Sequence, residues 1–110
     1  MGLIALMRGA MPLLWISLQD GFSNEMVVVS VNGKEVFSKE SVNTRQQIGV
    51  AAAVELDVPQ GSVDITVGLP LRNSSDTLTI SAINTPYIGI SLTNDGIITH
   101  RTSSEPFKYI

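Results

Sequence analysis

Four stretches of the chain alternate apolar and polar residues with a period of two, a pattern that gives a β-strand one dry face and one wet face. Val54, Leu56 and Val58 alternate with Glu55 and Asp57, and Val63, Ile65, Val67 and Leu69 with Asp64, Thr66 and Gly68. Leu78, Ile80 and Ala82 alternate with Thr77, Thr79 and Ser81, and Ile88, Ile90 and Leu92 with Gly89, Ser91 and Thr93. No window of comparable length carries the i, i+3, i+4, i+7 stripe of a helix. Residue choice agrees: Val, Ile and Thr supply 30 of the 110 residues, and β-branched side chains suit a pleated surface better than a helix.

Turn residues divide these strands. Asn32-Gly33 separates 27–31 from 34–37 and predicts a type I′ hairpin, which needs positive φ at both central residues. Pro59-Gln60-Gly61 and Asn94-Asp95-Gly96 predict two further hairpins, while the longer loop 70–76 is the expected crossover between sheets. Asn84-Thr85-Pro86 and Pro106 break the chain again. Around 46–53 the reading is a strand bent near Gly49, with a short helical turn as the alternative. The expected fold is therefore all-β, an antiparallel β-sandwich of seven or eight short strands.

Residues 3–18 form an apolar run interrupted by Arg8, Gly9 and Pro12. A spanning helix needs about 20 uninterrupted apolar residues. An export signal needs positive charge before the run and a small-residue cleavage site after it, and this run has neither. The expectation is a first strand at 13–18, a peripheral extension at 1–10 and one domain over 11–110, with no membrane span and a cytoplasmic location. A degenerate export or anchor segment, and hence secretion, stays open as one alternative, and a packed short helix as another.

Little in the composition builds a reactive centre. The chain has no Cys and one His, which excludes disulfides and leaves too few ligands for a typical transition-metal site. Seven basic against ten acidic residues argue against nucleic-acid binding. His100 sits in a strand pattern without a nucleophile motif, so no catalytic residue is assigned. Asp20, Asn24 and Glu25 around Gly21 are the candidates for a calcium site, although Asp and Asn are also ordinary turn residues. Glu55, Asp57 and Asp64 read as an exposed acidic face rather than a hydrolytic pair. Of the six aromatics, Trp15 and Phe37 are expected in the core. Phe22, Arg45, Tyr87 and Tyr109 are the ligand-binding candidates, and the 106–110 end reads as a closing edge strand or a segment that pairs with another subunit. No cofactor is expected.

Gln19-Asp20-Gly21-Phe22, the run from Val27 to Phe37 through Asn32-Gly33, Thr44-Arg45 and Ile48-Gly49 share the look of a known group. So do 87–92 and Glu105-Pro106-Phe107-Lys108-Tyr109. Over residues 13–109 the chain resembles a family of small uncharacterised bacterial all-β proteins of similar length. The resemblance implies a single small domain and no particular activity. It marks Asp20-Gly21-Phe22, Thr44-Arg45 and the 107–109 end as segments to inspect together. The expected role is that of a non-enzymatic protein-interaction or accessory module, able to form a homo-oligomer. The alternative is a carbohydrate- or small-ligand-binding module, which requires at least two aromatics on one face or loop cluster beside Arg45, Arg72 or Arg101.

Overall fold

The computed structural model describes residues 12–45 and 49–107. Eight strands form two four-stranded sheets: β1 (Leu13–Leu18), β4 (Ala52–Asp57), β7 (Tyr87–Leu92) and β8 (Ile98–Ser103) make sheet A. β2 (Glu25–Val31), β3 (Lys34–Val42), β5 (Ser62–Leu69) and β6 (Ser74–Ser81) make sheet B. The spatial orders are β4-β1-β7-β8 and β3-β2-β5-β6. Inward residues of both sheets join one hydrophobic cluster. Leu14, Ile16, Leu18, Ile88 and Ile90 come from sheet A, and Val27, Val29, Val63, Ile65, Val67 and Leu69 from sheet B. The period of two is thus realised residue by residue, as in β5, where Val63, Ile65, Val67 and Leu69 are buried.

Asn32-Gly33 is the tight hairpin its residues demand. Asn32 (φ 51°) and Gly33 (φ 83°) both lie in the left-handed region, and Val31 pairs with Lys34 across the turn. The 94–96 turn also joins a hairpin, β7 to β8, with Leu92 opposite Ile98.

Two other turns exchange the roles expected of them. Pro59-Gln60-Gly61 connects β4 in sheet A to β5 in sheet B and is a crossover, not a hairpin. The loop after Leu69 is a hairpin: a short 3-10 turn (Pro70–Arg72) and Asn73 in the left-handed conformation set Leu69 opposite Ser74. Nor is the pairing wholly antiparallel, because β1 and β7 run parallel, with Trp15 opposite Tyr87. These two strands enter the same sheet after excursions of the chain through the other, so no local turn dictates their relative direction. Near Gly49 the chain turns instead of extending: Gly49 (φ 69°) donates to the Arg45 carbonyl at 2.8 Å, and Arg45 bridges Val50 before β4 begins at Ala52. Residues 104–107 belong to no strand. The expected closing strand at 106–110 extends beyond the described residues, as do the 1–10 extension and Ile48.

The loop residues 19–24, 43–45, 49–51, 70–73 and 93–97 gather at one end of the sheets, because β1, β3, β5 and β7 all finish there.

Candidate functional site

Side chains that point away from the shared core define the outer face of sheet A. Register sets them in rows. Glu55, Trp15, Tyr87 and Ser103 stand side by side across the four strands, and Ala53, Ser17, Gly89 and Arg101 form the next row. Parallel pairing brings the Trp15 and Tyr87 rings into a stack, with centroids 5.0 Å apart and planes at 19°. Both residues are half-buried, and Leu13, in the same parity as Trp15, is 37% exposed.

Gly89 makes the second row possible. The buried Gln19 side chain lies across it, and a Cβ at position 89 would come within 2.5 Å of Gln19 Oε1. Arg101, on the neighbouring strand, donates from Nε to Gln19 Oε1 at 3.2 Å. Its guanidinium carbon sits 4.5 Å from the Phe107 ring centroid, a cation–π contact. The face thus has two stacked rings at its centre, Arg101 and Phe107 on its β8 flank, and Glu55 and Asp57 exposed on its β4 flank.

Trp15 is therefore not a core residue, contrary to expectation. The amino-acid order carries the signal: Trp15 shares parity with Ser17, and Tyr87 with Gly89 and Ser91, so both rings belong to the polar side of their strands. Phe37 is partly buried against the core. Phe22, a ligand-binding candidate, is buried in the core at 4% exposure.

Of the segments that the resemblance groups together, Asp20-Gly21-Phe22 does meet Thr44. The Phe22 N–H donates to Thr44 Oγ1 at 3.0 Å, the Thr44 N–H to the Phe22 carbonyl at 2.9 Å, and Thr44 Oγ1 to the Gln19 carbonyl at 2.5 Å. Gly21 (φ 89°) is required here twice over, since its backbone is left-handed and a Cβ would collide with the Leu92 carbonyl. Asp20, Gly21, Phe22, Ser23, Asn43 and Thr44 line a concavity of about 460 Å³. Arg45 is exposed beside it. Phe107 lies on the sheet A face through Arg101, and Tyr109 is outside the described residues.

The calcium candidates do not converge. Glu25 is buried and accepts from Arg72, with Nε at 3.1 and 3.0 Å from its two oxygens and one further contact at 2.5 Å from the second guanidinium nitrogen. This fork ties the β5–β6 loop to the start of β2. The hydrogen bond to Glu25, and then its charge, hold the Arg72 guanidinium above its ordinary value, so the cation persists. Asp20 and Asn24 are exposed. Among the described residues no three His, Cys, Asp or Glu side chains gather as a metal-holding group.

His100 projects toward sheet B, where its Nδ1 lies 2.7 Å from Asp76 Oδ2 on β6. Both side chains are about a third exposed, at 37% and 32%. The pair spans the open side between β8 and β6, a position suited to holding sheet edges together.

The chain matches no protein-family model, and comparison with curated proteins and with solved structures gives no match either. Geometry and chemistry therefore carry the functional reading.

Proposed function

We propose that the chain is a non-enzymatic β-sandwich domain that acts as a protein-interaction or accessory module through the outer face of sheet A. The supporting observation is the Trp15–Tyr87 stack, set with Leu13 among exposed charged residues. Rings at the centre and charges at the rim is the anatomy of a protein contact surface. Folding alone does not call for an aromatic pair on the outward side of a sheet. The resemblance to small bacterial all-β proteins and the cytoplasmic location belong to the same proposal. No helix among the described residues is long and apolar enough to cross a membrane.

A photo-crosslinking residue at Ala53, exposed on this face, tests the reading against one at Thr77 on the outer face of sheet B. In the source cells Ala53 should give a discrete protein adduct and Thr77 none. Equal yields from both positions, or none from either, would remove the proposal.

Carbohydrate or small-ligand binding is the second reading, favoured by three rings on one face beside Arg101. A sugar stacks on an open ring face, however, and Trp15 and Tyr87 each cover one face of the other. Titrating oligosaccharides against Trp15 fluorescence decides between them. A saturable shift abolished by Arg101→Ala would favour the sugar.

A further inference from the structure

We propose that the occupant of the sheet A face is a second copy of the same chain, docked about a twofold axis that runs along the strands between β1 and β7. The inference rests on the reading above that this face is a protein contact surface, and it adds the identity of the partner. It follows from the order of residues across the rows. A twofold along the strand direction keeps each row level and reverses the order of the strands. Trp15 then lies over the partner's Tyr87, and Tyr87 over the partner's Trp15, because the two residues are register partners on adjacent strands. The two stacked pairs merge into one cluster of four rings.

The flanks match under the same operation. The β8 flank, with Arg101 against Phe107, arrives over the partner's β4 flank, where Ala53 in the same row is too small to obstruct it. Glu55 stands one row away, on the same face of β4, so the docking sets a guanidinium on one copy toward a carboxylate on the other. Arg101 has donors to spare, since among the described residues only its Nε is engaged, by Gln19. Each contact occurs twice, as an isologous interface requires. An axis across the strands would instead set β8 against β8 and bring Arg101 of one copy toward Arg101 of the other. The charge pattern selects the first axis.

The size of the face sets the strength. Four strands spaced by about 4.8 Å and six residues rising about 3.3 Å each make a patch of about 19 by 20 Å. That is about 400 Å² per copy in projection, or about 800 Å² for the pair, below the ~1,200 Å² of stable complexes. The dimer is therefore a weak one that exchanges with monomer.

Sedimentation equilibrium from about 10 µM to about 1 mM, with Trp15 emission recorded over the same range, tests this on the intact chain. The expected result is a monomer–dimer equilibrium with a blue shift as the rings lose water. Arg101→Glu and Glu55→Arg should each weaken it by at least about tenfold, and mixing the two variants should restore it, because both flanks of the mixed pair then carry opposite charges. Both positions are exposed, and thermal melts confirm that the variants fold. A chain that stays monomeric, or a dimer indifferent to both reversals, would overturn the twofold docking. The Ala53 crosslink separates that failure from failure of the contact face itself: an adduct with a different protein keeps the face and discards the second copy.

Discussion

The outer face of sheet A and that of the β5–β6 half of sheet B are built from the same alternation and end up chemically opposed. On the β5–β6 half of sheet B the outward residues satisfy one another: Thr66 and Thr77 hydroxyls are 2.9 Å apart, and Thr79 donates to Asp64 at 2.7 Å, while β2 and β3 carry half-buried Met26 and Val28 and exposed Val36. Short hydroxyl side chains across a ladder of this kind are content with water. On sheet A the outward residues include Leu13, Trp15 and Tyr87, with Phe107 in cation–π contact with Arg101. Each sheet also carries a glycine at an outward position. Gly68 on β5 has no neighbour closer to a would-be Cβ than the Val28 carbonyl at 3.8 Å, whereas Gly89 on β7 is filled by Gln19. One face is finished as a surface. The other keeps half-buried rings, and its vacant glycine position has been used to place a polar side chain on the same face.

The largest expected effects test what the two sheets share. Ile16→Ala in sheet A and Ile65→Ala in sheet B each remove a fully buried side chain from the common core. Each should cost about 2–5 kcal/mol in denaturant unfolding. A much smaller loss from one of them would mean that its sheet contributes little to a joint core.

Next comes the aromatic face. Trp15→Ala should cost about 1–3 kcal/mol through lost stacking and half-buried area. It should also abolish the concentration-dependent association. A variant that loses stability but associates as before would leave the stack purely structural.

The two glycines should then respond with opposite sign. Gly89→Ala displaces Gln19 and strains its bond to Arg101, at about 1 kcal/mol. Gly68→Ala meets nothing closer than van der Waals contact and should stabilise by about 0.5 kcal/mol through strand propensity. Equal shifts in melting temperature would erase the contrast between the faces.

The smallest effect belongs to the hydroxyl face. Thr66→Val or Thr77→Val should change stability by no more than about 0.5 kcal/mol, as exposed substitutions usually do. Neither should alter association.

The candidate site is partly legible in the amino-acid order alone. Parity with Ser17 assigns Trp15 to an outward face, and parity with Gly89 and Ser91 does the same for Tyr87. The apolar character of Trp15 nevertheless suggests the core, since in Leu13–Leu18 both parities are rich in large side chains. Phe22 departs from its expected exposure in the converse direction. A ring in a loop of Asp, Gly and Ser looks available, yet the left-handed turn at Gly21 brings the chain against Leu92 and directs Phe22 inward. Glu25 looks like a free loop carboxylate until the β5–β6 hairpin delivers Arg72 to it.

By itself the sequence determined that the chain forms strands, which residues face inward in alternating stretches such as 63–69 and 88–92, and where Asn32-Gly33 folds a hairpin. Those outcomes depend on the two-residue pleat repeat and on local steric limits at positive φ, which act over a few residues. The tertiary structure alone decided that Pro59–Gly61 crosses between sheets while Pro70–Asn73 folds back, and that β1 runs parallel to β7. Strand pairing is a competition among distant segments of similar apolar pattern, and several partners would satisfy any one of them. Packing both sheets onto one core selects a single arrangement, and that arrangement brings Trp15 beside Tyr87.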